Sequence, residues 1–195
     1  ALARILDAKG IPVAVHAFLD GRDTPPASAA DFLKRFGDDI SALNGTRIAT
    51  VCGRYWAMDR DTRWDRIEQA YDLLTAGEGS KAGNAAEAVQ AGYGEDVTDE
   101  FMTPTAIGGY SGMADGDGVL MANFRADRAR EILSALLDPG FDGFQRKRTI
   151  SFAAALGMVE YADHMNRFMT TLFPPLALDG IMAAVLAEAG LKQLR

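Results

Sequence analysis

Residues 53–66 read GRYWAMDRDTRWDR, four arginines and three aspartates in fourteen positions, directly after the apolar run IATVC. A guanidinium is permanently charged and forked, so it matches carboxylate and phosphate oxygens two at a time. Two other loops carry the same mixture: DGRD at 20–23 holds Arg22 and Asp23, and FRADR at 124–128 holds Arg125 and Arg128. Each of the three follows an apolar run of strand length: VAVHAFL (13–19), RIATVC (47–52) and VLMANF (119–124). In a parallel sheet the carboxyl ends of the strands share one edge, and ligands bind in the crevice there. If these strands run parallel, Arg22, Arg54, Arg60, Arg125 and Arg128 converge on one crevice. Interleaved Asp23, Asp59, Asp61 and Asp127 can supply the counter-charge that keeps them together.

Such a set can hold a small, doubly anionic molecule, each charge-assisted hydrogen bond contributing roughly 1.5–3 kcal/mol. The alternative is a group of surface Asp–Arg pairs, each worth about 0–1 kcal/mol. Residue chemistry alone leaves both open for these five arginines. Arg63 and Arg66 lie off the stripe formed by Trp64, Ile67, Tyr71 and Leu74, so they are expected on the exposed side of that helix.

The elements that must position these loops are legible around them. At 195 residues, 48% apolar and 24% charged, the chain has room for one good core and an ordinary globular composition. No apolar run approaches the ~20 residues of a membrane helix. A net charge of −7 argues against a general nucleic-acid or acidic-membrane binder. Yet 15 of its 20 basic residues are arginine, so their placement carries information. The single Cys52 cannot form an internal disulfide, which fits a reducing compartment.

Helical spacing at Leu2, Ile5 and Leu6 stops at Gly10. Further helices are expected after Ser28, Asp61 and Asn84 as caps, over Ala126–Leu137, and over Leu178–Ala189. TISFAAAL (149–156) reads as a fourth strand, while 97–107 is extended and poorly periodic. Repeated strand–loop–helix units predict an α/β fold, a three-layer αβα sandwich around a mostly parallel sheet, with residues 1–195 as a single domain. The chain opens inside a helical pattern without an initiator Met and closes on LKQLR, which resembles the start of another element. The expectation is a domain excised from a longer protein.

Other candidates read as structural. His16 alternates with apolar neighbours and suits a packed core histidine. His164 has no visible partner, and two histidines without ligand spacing argue against a metal site within this chain. DGDG (115–118) suits a tight turn, QRKR (145–148) a solvated run, and Cys52 a buried thiol. Ser28 and Ser111 sit in no nucleophile elbow. The residues therefore offer anion binding and a possible acid or base in Asp23, without a complete catalytic apparatus.

The motifs HAFLDGRDTPP, GRYWAMDRDTRWDRIEQAYDLL, TDEFMTPT, DGDGVLMANFRADRARE and LFPP, in this order, closely resemble the cofactor-independent (2,3-bisphosphoglycerate-independent) phosphoglycerate mutases from about residue 13 onward. The resemblance is to that enzyme's substrate-binding, or phosphotransferase, domain, inserted in the family into a metal-binding domain of alkaline-phosphatase type. It implies a cytoplasmic, glycolytic isomerase that interconverts 3-phosphoglycerate and 2-phosphoglycerate. A serine of the metal domain takes the phosphoryl group, two manganese ions stabilise charge, and glycerate reorients before the group returns. By matching motif, Arg22 and Asp23 in GRD, Arg54 in GRY, Arg60 in MDRD, and Arg125 and Arg128 in FRADR resemble the family's substrate contacts. Asp23 is the candidate proton acceptor, a role that needs a raised pKa or tight geometry because an isolated aspartate is a weak base. No segment resembles the nucleophilic serine or the metal ligands, and Trp56 stands where a tyrosine is common. No cofactor is expected in this chain; its expected partners are phosphoglycerate and the metal-binding domain of the same parent chain. The alternatives are a stand-alone, non-catalytic binding module for small phosphorylated acids and an interaction domain whose arginines are merely ion-paired.

Overall fold

A computed structural model describes residues 1–175 and 180–192. Among these, strands β1 (Val13–Leu19), β2 (Thr46–Gly53), β3 (Ser80–Ala82) and β4 (Thr105–Ile107) form one sheet in the order β1-β2-β4-β3. Strands β5 (Gly118–Met121), β6 (Ala154–Gly157) and β7 (Thr170–Thr171) form a second. All pairings are parallel except β2 with β4. Helices α1 (Leu2–Asp7), α2 (Ala29–Ile40), α3 (Arg54–Ala57), α4 (Trp64–Ala76), α5 (Ala85–Gly94), α6 (Ala126–Leu137) and α7 (Met182–Glu188) fill the connections.

The α/β class and the parallel bias are as expected. β2 buries both faces: Ala49 and Cys52 join Ile67, Tyr71 and Leu74 of α4 and Ile132 of α6, while Val51 joins Leu33 of α2 and Val89 of α5. Helices therefore cover the sheet from two sides. The strands, however, divide between two sheets rather than forming one, because the expected third and fourth strands are cut short. After Met121, whose carbonyl still accepts Met158 N–H at 3.1 Å, the Tyr161 hydroxyl donates to the Asn123 carbonyl at 2.5 Å, taking an acceptor that a longer strand would use. Before Ala154, the DGDG turn claims the backbone. Ser151 N–H donates to Asp115 Oδ1 at 2.8 Å, Gly116 N–H to Ser151 O at 2.9 Å and Ala153 N–H to Asp117 O at 2.9 Å. The segment 97–107, expected to be extended, contains β4 after a 3-10 turn (Asp99–Phe101).

Two local expectations change and a third gains detail. Ser28 occupies the N-cap of α2 but does not cap it with its side chain; the Asp99 carboxylate does, accepting Ser28 N–H and Ala29 N–H at 2.8 Å each. Asp61 is not the cap of α4; Asp59 accepts the Asp61 and Arg63 N–H groups just before it. QRKR is largely solvated, as expected, with Gln145, Lys147 and Arg148 exposed, but it is also anchored. Arg146 donates to Ala135 O and Asp138 O at 3.1 and 3.0 Å, and Arg148 to Thr75 O at 3.1 Å, so both close the carbonyl-rich ends of α6 and α4. Between them Lys147 reaches Asp72 and Glu78 at 2.6 and 2.8 Å. Asn84 does cap α5, accepting Glu87 N–H at 2.9 Å. The expected last helix begins at Leu178, which lies outside the described residues; its later part is α7.

His16 and Cys52 are structural, as read. His16 Nδ1 lies 2.9 Å from Thr50 Oγ1, its ring meets Tyr110 edge-on, and burial pulls its pKa down to about 4. Cys52 is fully buried, and that burial pushes its thiol up.

The residues at the ends of β1 and β2 are shaped for close approach of the 99–102 segment. Gly53 N–H donates to Met102 O at 2.8 Å. A Cβ on Gly53 would strike Glu100 O and lie 2.6 Å from Met102 N. Gly21, at φ +64°, leaves no room either: a Cβ there would lie 2.7 Å from Glu100 N. Gly53→Ala is therefore expected to destabilise the chain by roughly 3 kcal/mol, because backbone cannot yield as a side chain would; urea titration against the parent chain measures it.

Candidate anion-binding site

The turn after β1 is organised by Asp20, whose Oδ1 accepts the Arg22 and Asp23 N–H groups at 3.4 and 3.3 Å. The same oxygen receives Arg54 Nη1 at 2.5 Å. Arg54 opens α3 directly after β2, and its side chain is only 5% exposed. Its Nη1 also donates to Asp23 Oδ2 at 2.9 Å. That Asp23 oxygen in turn receives Arg125 Nη1 at 3.3 Å. Arg125 Nε pairs with Asp127 Oδ1 at 3.2 Å, and Asp127 Oδ2 accepts Arg60 Nη1 at 2.8 Å. One unbroken chain of ion pairs, Arg54–Asp23–Arg125–Asp127–Arg60, thus ties together loops that follow β1, β2 and β5.

Arg22, Arg54, Arg60 and Arg128 line a single cleft of about 450 Å³, with Tyr55, Met58 and Glu100 among its other walls. Arg125 joins the group from outside the cleft wall, through Asp23 and Asp127. Arg22 pairs with Glu100 at 3.5 Å. Arg128 is held by a carbonyl rather than a carboxylate: Nη1 donates to Met58 O at 3.0 Å, and its Nε is buried without a partner. All six residues expected at the site are therefore in or immediately beside it. The convergence arises across two sheets, since β5 belongs to the second.

The electrostatics follow from this packing. Burial pushes the Asp20 carboxyl up, but the Arg54 hydrogen bond and charge and the two N–H groups offset it, leaving Asp20 below the usual range. The hydrogen bond from Arg60, with further help from Arg125, holds Asp127 low as well. Arg128 is pushed down from its ordinary value, first by burial and then by the repulsion of Arg60, Arg54 and Arg125. A cation crowded by three others and short of hydrogen-bond acceptors is a place where an anion is stabilised.

Comparison with known proteins shows the family. Residues 1–163 match the family model described as "BPG-independent PGAM N-terminus". The chain belongs to the 2,3-bisphosphoglycerate-independent phosphoglycerate mutase family. It is 49% identical over its whole length to the mutase of Rhodopseudomonas palustris and 47% identical to that of Gluconobacter oxydans. It spans 38% of the length of each of these relatives. A solved structure of Leishmania mexicana phosphoglycerate mutase, determined at low cobalt concentration, superposes with a TM-score of 0.85 over 97% of this chain and 37% of that one, at 29% identity.

Several residues of this mutase-family cleft escaped sequence reasoning. Arg66 was expected on an exposed helix face; instead it lines the cleft, pairs with Asp59 at 3.5 Å and lies 3.8 Å over the Tyr55 ring. Arg63 is exposed, as expected. Asp20, Glu100 and Glu131 were not singled out. For Asp20 a signal existed, since it opens the DGRD loop; Glu100 and Glu131 have no local signature.

The carboxylates give a pH prediction. Asp20 and Asp127 bind their protons less tightly in the folded chain than in the unfolded one. Their stabilisation is complete above the ordinary value near 3.8 and is lost as pH falls through the lower folded values. Asp20→Asn is expected to melt lower at pH 7, where Arg54 loses its closest anion, and to show a shallower further loss between about pH 4 and pH 2 than the parent chain. Melting curves across that range test it.

Proposed function

We propose that this chain is the substrate-binding domain of a phosphoglycerate mutase that interconverts 3-phosphoglycerate and 2-phosphoglycerate. The observation that carries the reading is the continuous Arg54–Asp23–Arg125–Asp127–Arg60 network around one cleft, joined by Arg22 and Arg128. In this reading the guanidinium groups grip the carboxylate and phosphate of the substrate and retain glycerate while its phosphoryl group rests on a serine of the remaining part of the enzyme. Asp23, 63% exposed and set between Arg54 and Arg125, faces a glycerate hydroxyl and is the candidate proton acceptor. Closure of that other domain over the cleft excludes water between the two transfers. A glycolytic role of this kind places the enzyme in the cytoplasm; among the described residues no helix is long and apolar enough to cross a membrane.

Two manganese ions, in this reading, stabilise charge on the phosphoryl group from the other domain. Among the described residues no group of three or more His, Cys, Asp or Glu side chains could hold a metal ion. The described residues do not fit the metals, and none of their roles is routed through them.

The ion pairs themselves favour a second reading, in which the network only braces the fold. Titration calorimetry with 3-phosphoglycerate separates the two. Arg60→Ala and Arg125→Ala, both on partly exposed side chains, are expected to melt like the parent chain. Each is expected to bind about 10–150-fold more weakly, the equivalent of one lost charge-assisted contact. No binding by the parent chain at millimolar ligand supports the bracing reading. The chain alone, supplied with manganese, is expected to show no mutase turnover; measurable turnover by the pure chain would overturn its assignment as one domain of a larger site.

A further inference from the structure

We propose that Glu131 of α6 and Asp59 of the loop after α3 share one proton, and that the pair is a positioning device for the turn presenting Arg60 to the cleft. Both side chains are buried, at 8% and 5% exposure. Between them they hold three successive backbone donors: Asp59 Oδ2 accepts Asp61 N–H at 2.8 Å and Arg63 N–H at 3.0 Å, and Glu131 Oε1 accepts Thr62 N–H at 2.8 Å. Thr62 needs holding. It is β-branched yet sits at φ +57°, a conformation costing about 1–3 kcal/mol unless its surroundings enforce it.

Asp59 takes the amides of residues 61 and 63 and Glu131 the amide between them, which sets the two buried carboxyl groups side by side. Two ionised carboxylates cannot share a buried contact without strong repulsion. Glu131 Oε2 is buried with no donor aimed at it. One proton on Oε2 resolves both problems, since the oxygen then donates to Asp59 instead of repelling it. The proton belongs to Glu131 because Asp59 is the better-solvated anion: it has two N–H donors and the Arg66 guanidinium at 3.5 Å, where Glu131 has one N–H. The charged groups that meet the pair are Asp61 from the loop and Arg66 from α4. Asp127 and Arg128, on the same helix as Glu131, are engaged with Arg60 and Met58 O. Burial and the neighbouring Asp59 and Asp61 push Glu131 up. Asp59, pushed up by burial, is brought below its usual range by its N–H donors, Glu131 and Arg66. Arg60 lies between Asp59 and Asp61, so the pair fixes the backbone on both sides of it. Only this last link, from turn to ligand, rests on the proposed function.

Glu131→Gln keeps an acceptor for Thr62 N–H and offers Asp59 an amide donor, reproducing the protonated state; Glu131→Ala removes both. The expected result is that the Thr62 amide exchanges at the parent rate in Glu131→Gln and at least about tenfold faster in Glu131→Ala. The pH dependence has a definite sign. A glutamate raised in the folded state stabilises fully below its unfolded value near 4.5, and that contribution is lost as pH rises through the folded value. The melting temperature of Glu131→Gln relative to the parent should therefore rise with pH above 4.5. Parallel pH curves, or a Thr62 amide as labile in Glu131→Gln as in Glu131→Ala, would overturn the shared proton. Phosphoglycerate affinity weakened in Glu131→Ala and rescued in Glu131→Gln supports the positioning role; affinity equal in both overturns it. If the parent chain binds no phosphoglycerate, the proposed function fails, while amide exchange and the pH curves still decide the pair.

Discussion

A guanidinium cannot be taken out of water unless anions meet it, and Arg54 is the place where this chain accepts that constraint. Its side chain is nearly buried at the junction of β2 and α3, and the anions that meet it, Asp20 and Asp23, come from the turn after β1. Two strand-end loops are therefore locked to each other by one side chain. Asp23 then passes the constraint on, because the oxygen that accepts from Arg54 also accepts from Arg125 in the loop after β5. The arginines of the three loops are thus gathered by the protein's own carboxylates.

The segment 98–102 serves as a second tie beneath that network. It reaches β2 because Gly53 has no side chain, and it reaches the β1 turn because Gly21 has none. From there Asp99 accepts the first N–H groups of α2 and the Tyr93 hydroxyl, while the next residue, Glu100, meets Arg22. Packing of the second hydrophobic cluster, through Met102 and Val89, and placement of a cleft arginine are thus properties of one short stretch. A change there is felt in both.

The strand-end arginines were legible because each stands within a few residues of an apolar run, so topology alone decided whether they meet. Arg66 was not legible. Helical periodicity correctly places it away from the Ile67 and Tyr71 face, but whether that side is solvent or a neighbouring ring depends on Tyr55, eleven residues earlier in a different helix. QRKR is largely solvated, as its polarity says, but that its two arginines also close the ends of α6 and α4 depends on elements the fold brings beside them. Asp99 outdid Ser28 as the cap of α2 from 71 residues away, a competition no local rule can score. The two sheets were read as one because Tyr161 and the DGDG turn, which end the strands early, act through tertiary hydrogen bonds.

An ion-paired arginine is not thereby spent. Each guanidinium carries five donors. Arg54 commits Nη1 to its carboxylates, and Arg60 commits Nη1 to Asp127, so the rest of each fork can serve an anion while the pairs hold its orientation. Arg128 stands in net repulsion: burial, Arg60, Arg54 and Arg125 disfavour its charge, Asp127 only partly offsets them, and its buried Nε has no acceptor. A fold that only needed braced loops would gain by losing that charge. The cleft keeps it beside four other lining arginines, so an anion entering there would relieve a repulsion that the protein's own carboxylates leave standing.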